Sequence, residues 1–208
     1  MFKLEIDESS QYDSSNRTPI MRKAENPLLT VADVKPSRED FVVDGIFNCG
    51  ATKYGDEYIL LCRVAESVKC NRDGFVAFPV IVEHQGKSEF EVVVLEKSSH
   101  PEYDFSDSRT ITKGSDAYSN VVYLTSFSHL RVARSKDGIH FTVDEKPLIM
   151  PDPVSECWGM EDPRITCIDR TYYINYTAVS PDGAATALIT TNDFKSFERK
   201  GLIFLPEN

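Results

Sequence analysis

No stretch of this 208-residue sequence is apolar for long enough to cross a bilayer. The longest uninterrupted apolar run, Phe75 to Val82, spans eight residues and contains Pro79, whereas a membrane helix needs about 20. The N-terminus, Met1-Phe2-Lys3-Leu4-Glu5-Ile6-Asp7-Glu8, is acidic where an export leader is basic and then apolar, so a cytoplasmic location is the expectation. Clusters of positive charge are missing too. The 23 Lys and Arg are outnumbered by 33 Asp and Glu, for a formal charge of −10, and no Lys/Arg-rich run exists. Nucleic acid and anionic membrane are therefore disfavoured as partners. Cys49, Cys62, Cys70, Cys157 and Cys167 are odd in number, stand singly and lack the C-x-x-C spacing of a zinc site, which leaves reduced, mostly buried thiols as the expectation. His84, His100, His129 and His140 show no mutual metal-ligand spacing and read as solvated or capping residues for the most part. Gly-rich phosphate loops, G-x-S-x-G elbows and H-E-x-x-H motifs are absent, so neither a metal nor an organic cofactor is expected.

No convincing amphipathic helix of ten or more residues appears either. What is present is β-forming. Short runs dense in Val, Ile, Tyr, Phe and Thr recur, among them Phe41 to Phe47, Tyr58 to Val64, Phe75 to Val82, Val121 to Thr125 and Tyr172 to Thr177, with turn signals such as Tyr54-Gly55-Asp56 and Gln85-Gly86 between them. Many short strands mean a sandwich, a barrel or a propeller, and an internal repeat selects the last. Ser135-Lys136-Asp137-Gly138-Ile139-His140-Phe141 matches Thr191-Asn192-Asp193-Phe194-Lys195-Ser196-Phe197 as S/T-x-D-x-x-x-F. Lys146-Pro147-Leu148-Ile149 matches Lys200-Gly201-Leu202-Ile203, and Asp107-Ser108-Arg109 matches Asp162-Pro163-Arg164. All three offsets lie near 55 residues, the size of a generous propeller blade. The expected organisation is an N-terminal arm and lead-in strand over residues 1–40, then a partial all-β propeller over 41–208. Phe41 to about Lys97 would be its first blade and about three blades would be present in all.

Polar residues at equivalent positions of successive blades converge on a central pocket, which makes both D-x-R segments candidates. Asp162 is the stronger, because Trp158-Gly159-Met160-Glu161-Asp162-Pro163-Arg164 surrounds it with an aromatic, a second carboxylate and a guanidinium. A Trp or Met beside a carboxyl group desolvates it, and Glu161 discourages a second negative charge, so Asp162 is expected to stay protonated near neutral pH as a general acid requires. Direct pairing with Arg164 would pull the other way, and spacing alone favours such a structural pair or turn. Asn48 and Arg63 lie at the ends of two strands. Together they suit a hydroxyl-rich ligand, one as donor and acceptor, the other as a rigid fork of donors; singly, each reads as a surface polar residue. Ser135, Asp137, Thr191 and Asp193 read as turn formers, not nucleophiles.

Several stretches, taken in order, resemble glycoside hydrolase family 130, the β-mannoside phosphorylases and mannosidases with five-bladed propellers. They are Asn26-Pro27-Leu28-Leu29, Val34-Lys35-Pro36, Phe47-Asn48-Cys49-Gly50-Ala51, Leu60-Leu61-Cys62-Arg63-Val64, Tyr123 to Leu130 and Gly159-Met160-Glu161-Asp162-Pro163-Arg164. The Met-Glu-Asp-Pro-Arg segment is the most specific of them. The resemblance implies that Asp162 is the general acid, delivering its proton to the glycosidic oxygen through a mannose hydroxyl. It also implies that Asn48 and Arg63 hold the mannose, with Glu161 and Arg164 as further substrate contacts. In an inverting phosphorylase inorganic phosphate is the co-substrate and attacks the anomeric carbon. An inverting hydrolase instead needs a second carboxylate roughly 6.5–9.5 Å from the acid. The sequence corresponds to about the N-terminal three-fifths of the family's length. Asn208 would lie at the edge of the phosphate site, and Glu207 would be a bystander or a hydrolase-like base. The wording is nearer the phosphorylases of β-1,2-linked mannosides. A hydrolase, a non-catalytic carbohydrate-binding module and an inactive fragment that needs a partner copy or a further segment are the alternatives.

Overall fold

A computed structural model of the protein describes residues 24–114 and 120–206. Apart from single 3₁₀ turns at Val31–Asp33 and Lys97–Ser99, the regular structure among the described residues is all strand. No helix among the described residues is long and apolar enough to cross a membrane. The strands are β1 (Phe41–Tyr54), β2 (Glu57–Val68), β3 (Phe75–His84), β4 (Lys87–Glu96), β5 (Tyr103–Asp104), β6 (Thr110–Lys113), β7 (Val121–Leu124), β8 (Ser126–Ser135), β9 (Thr142–Val143), β10 (Gly159–Ile168), β11 (Thr171–Ser180), β12 (Gly183–Thr191) and β13 (Glu198–Phe204). Turns of the type seen in the sequence close the hairpins. At β3–β4, Gln85 and Gly86 both take positive φ (51° and 76°), the twist that a two-residue hairpin turn requires.

Two antiparallel units emerge from the pairing. The first runs β1-β2-β8-β9 and the second β10-β11-β12-β13. They touch edge to edge through one parallel pair, Gly159 with Ser128, and face to face through the main core. Ile59, Leu61, Leu130 and Val132 of the first unit pack there on Met160, Ile174, Tyr176, Ala187 and Ile189 of the second. Sheets stacked in this way, each led by its innermost strand, are propeller-type blades.

The division into blades differs from the sequence expectation. The stretch from Phe41 to Lys97 is not one unit, because β2 pairs with β8 over ten positions, Tyr58 with Ser135 through Ser67 with Ser126. Residues 69–125 are an insertion between the second and third strands of the first unit. They carry the β3–β4 hairpin and a separate β5-β6-β7 sheet. A strongly β-forming hairpin reads in sequence like the outer half of a blade, although here it pairs only with itself. It is tied down by an aromatic cluster in which the Phe90 ring lies 4.3 Å from Phe127 and 5.7 Å from Phe41. The lead-in residues also do more than form an arm. Val34 is buried in a second core with Cys62 and Val64 on the outer face of the first unit.

The S/T-x-D-x-x-x-F repeat is structural. Each copy follows the third strand of its unit, and the Asp carboxylate caps two backbone N–H groups, those of Ile139 and His140 for Asp137 and of Lys195 and Ser196 for Asp193. The N–H groups of Ser196 and Lys195 hold the Asp193 carboxyl down to about 2. The D-x-R match is not structural. Asp107 lies in the turn before β6, where it is chelated by Arg109 of its own segment, whereas Asp162 lies within β10.

Candidate functional site

Asn48 and Asp162 occupy equivalent places in the two units. In β1 the register slips between Phe47 and Gly50, and in β10 between Glu161 and Arg164, so each innermost strand has two residues opposing one on its neighbour. Such a bulge bends the strand and re-aims a side chain. Its first residue takes the left-handed conformation in both, with φ 50° at Asn48 and 51° at Asp162. Among residues with a side chain, Asn and Asp are the types that tolerate it best. The residue type therefore suits the backbone as well as any chemistry. Gly50 lets the bulges approach, since a Cβ there would meet the Pro163 carbonyl oxygen at 2.9 Å.

The bulges join four polar side chains. Asn48 Nδ2 donates to Asp162 Oδ1 at 2.8 Å. From β2, Arg63 reaches the same oxygen with Nη1 at 3.0 Å and Glu161 Oε1 with Nη2 at 2.5 Å. The guanidinium is fixed from behind: its Nε donates to Ser128 Oγ at 3.0 Å and its Cζ lies 4.7 Å from the centre of the Phe47 ring. Asp162 remains the most open of the charged members, with 36% of its side chain exposed against 19% for Arg63.

The electrostatics reverse the sequence expectation for Asp162. The Asn48 amide, opposed by partial burial and reinforced by Arg63, holds its carboxyl below the ordinary carboxylate range. Neither hydrophobic neighbour desolvates it, because Met160 points into the core and Trp158 lines a separate cavity. Glu161 is the group pushed up, by burial first and then by the charge of Asp162, against the pull of Arg63. In Glu161→Gln the Asp162 carboxyl is expected to fall further, because a like charge is gone. A ¹³C carboxyl titration in which it rose would contradict this arrangement.

Asn48, Arg63, Glu161 and Asp162 are thus brought together as expected from the sequence. Arg164 is exposed, and its Nη1 donates to the backbone carbonyls of Asp162 and Pro163, so the anticipated Asp162–Arg164 carboxylate pair does not form. Asn208 and Glu207 lie outside the described residues. Two members were not foreseen. Ser128 sits within the Ser-Phe-Ser-His-Leu stretch, but nothing local marks a serine as an arginine anchor, and Phe47 reads as an ordinary strand residue. Ser128→Ala should cost about 1 kcal/mol in denaturant unfolding by leaving the Arg63 Nε unpaired; an unchanged midpoint would deny it that role.

Elsewhere one expectation needs correction and another has an exception. All five cysteines are free, but only Cys62 is buried and Cys49, Cys70 and Cys167 are exposed, because β1, β10 and the chain after β2 present them at bulges and ends. His129 is neither solvated nor a cap. It is fully buried, with its Nε2 3.0 Å from Glu66 Oε2. A second buried carboxylate, Glu156, accepts from Tyr176 Oη at 2.5 Å and Arg199 Nη1 at 2.7 Å, and ties the loop before β10 to β11 and β13.

A family model described as beta-1,4-mannooligosaccharide phosphorylase, that of glycoside hydrolase family 130, matches residues 116–206. Over 189 residues the chain is 44% identical to the beta-1,2-mannobiose phosphorylase of Listeria innocua, which covers 91% of this chain and 52% of that protein. The solved structure of the Listeria innocua protein in complex with beta-1,2-mannobiose superposes with a TM-score of 0.77, at 44% identity, over 89% of this chain and 52% of that one. A 1,2-beta-oligomannan phosphorylase of Thermoanaerobacter sp. is 35% identical over 104 residues, 49% of this chain and 35% of that protein. The chain spans about half the length of the Listeria protein.

Proposed function

We propose that the chain belongs to glycoside hydrolase family 130, whose model and members it resembles, and that the whole protein carries out inverting phosphorolysis of β-mannosides, with β-1,2-linked manno-oligosaccharides as the substrate class. One observation carries the reading: the innermost strands of two successive units, joined by β2, deliver an amide, a guanidinium and two carboxylates to a single open point. Amide and guanidinium donors in fixed positions suit a ring of hydroxyls. The linkage follows the relatives, since those from Listeria innocua and Thermoanaerobacter are named for β-1,2 mannosides.

In the proposed reaction an oxygen of inorganic phosphate bonds to the anomeric carbon of mannose as the bond from that carbon to the glycosidic oxygen breaks. The departing oxygen takes a proton, supplied from Asp162 through a hydroxyl of the mannose, and mannose 1-phosphate is released with inverted configuration. Asn48 and Arg63 hold the mannose, Glu161 sets the position of Arg63, and Arg164 is the remaining candidate contact on the same strand. For Asp162 to act as a donor, the bound sugar must draw Asn48 and Arg63 away from its carboxylate. Losing those donors lets its pKa rise toward the ordinary value.

Glu161 does not favour hydrolysis. It shares Arg63 with Asp162 and so stands beside the acid, whereas an inverting base must face the acid across the sugar. Incubating the full-length protein with β-1,2-mannobiose and phosphate should release mannose 1-phosphate. Free mannose produced at the same rate without phosphate would overturn the phosphorylase in favour of a hydrolase, and binding with no cleavage would overturn it in favour of a carbohydrate-binding module.

A further inference from the structure

A cavity of about 210 Å³ lies where the insertion meets the second unit. Ile81 of β3 and Tyr123 of β7 line one side, Ser126 and Phe127 of β8 the floor, and Trp158 and Pro181 the other side. The walls are rigid. Tyr123 is stacked at 4.6 Å on Phe78, Phe127 is held by Phe90 at 4.3 Å, and the Trp158 backbone N–H donates to the Val179 carbonyl at 2.9 Å. Preset aromatic surfaces with few polar groups are what a small-molecule site offers, because little ordering is left to be lost on binding.

The cavity is separate from the polar cluster but linked to it along two strands. Ser126 and Ser128 lie two apart on β8 and so share a face, and Ser128 is the residue that anchors Arg63. Next to it Gly159 pairs in parallel with Ser128, so the residue before each, Trp158 and Phe127, leads into the cavity while Glu161 and Asp162 follow on β10. Trp158 and Asp162 are four positions apart in the chain, a span of at most roughly 13 Å. A sugar chain reacting at Asp162 would reach the cavity with one of its neighbouring rings. The carbon-bound hydrogens on a pyranose face are its apolar surface, and the rings of Trp and Tyr present a flat apolar body with a polar edge to meet them.

We propose that this cavity is a subsite for a mannose unit other than the one that reacts, with Trp158 and Tyr123 as its platforms, and that the insertion of residues 69–125 thereby takes part in selecting substrate length. The inference rests on the mannoside reading of the neighbouring cluster. Trp158 is the single tryptophan of the sequence. Its emission, isolated as the difference between the wild-type and Trp158→Phe proteins, should change saturably on titration with β-1,2-mannotriose, in the Asp162→Asn background as well. In the full-length protein Trp158→Ala should raise KM for the trisaccharide about tenfold, with a smaller rise for the disaccharide and kcat within about twofold. Tyr123→Ala, on the opposite wall, should do the same and guards against misfolding at one position. An unresponsive Trp158, or an equal change in KM for both lengths in both variants, would overturn the subsite. Loss of the mannoside reading would look different: the wild-type protein would form no mannose 1-phosphate, whatever Trp158 reported.

Discussion

Replacing Asp162 with Asn should lower phosphorolysis by about 10² to 10⁴-fold, the usual worth of general-acid assistance, and leave the molecule folded. Asparagine tolerates the left-handed backbone that the bulge imposes, with φ 51° at this position. Its carbonyl oxygen can also still accept from Asn48 and Arg63, the two donors that meet at Oδ1. The shape and the accepting oxygen are kept, while the transferable proton and the negative charge facing Arg63 are removed. Initial rates of mannose 1-phosphate release, read beside the unfolding midpoint of the same sample, give the answer. Full activity in a folded Asp162→Asn protein would remove Asp162 from the mechanism.

The largest effect on stability is expected away from that site. Glu66, His129 and Arg131 are each fully buried on the outer face of the first unit. Ser37 stands between them: its N–H donates to Glu66 Oε1 at 2.7 Å and its hydroxyl accepts from Arg131 Nη2 at 2.9 Å. Two buried nitrogens, His129 Nδ1 and Arg131 Nε, have no partner among the described residues, so the cluster has little to spare. Glu66→Ala should cost about 3–5 kcal/mol in denaturant unfolding, because the buried His129 and the Ser37 N–H lose their partner and buried Arg131 loses a charge that opposes its desolvation. A loss below about 1 kcal/mol would show that the pair contributes little.

The same cluster makes stability sensitive to acid in two stages. Burial holds the His129 imidazole below its ordinary value, against the pull of Glu66. Its contribution is therefore complete above the unfolded value of about 6.5 and is lost as pH falls toward the folded one. Burial alone would raise Glu66, but the bonds from His129 and Ser37 prevail and its carboxyl is lowered. That contribution is present above about 4.3 and disappears as pH falls further. The unfolding free energy should decline from about pH 6.5 downward, and His129→Gln should remove the first stage and weaken the second, since His129 is among the groups that lower Glu66.

The sequence already held the strands, their turns and the residues Asn48, Arg63, Glu161 and Asp162. Each is either a periodic pattern or a polar type in an unusual setting. Other features lay beyond it. The equivalence of Asn48 and Asp162 is a matter of paired bulges, which follow from register and leave no repeat of residue types. The charge of Asp162 depended on which side chains approach it. Met160, two residues before it, packs into the core and Trp158 lines the cavity beside the insertion, while an Asn on another strand supplies the decisive hydrogen bond. Ser128 and Ser37 act through where their hydroxyls point, which only the assembled chain determines.

The insertion also bears on the order in which the molecule can form. The strands of the second unit join by tight turns and pair with their neighbours in the chain, so their loops close early and at little entropic cost. The first unit cannot be completed until β2 finds β8 across residues 69–125, a non-local closure of the kind that slows folding. Asp162 belongs to the unit closed by local pairing, while Asn48 lies on a local hairpin of the unit that the long-range pairing completes. The hydrogen bond between them spans the two units, so the donor set that governs the acid requires both to be in place.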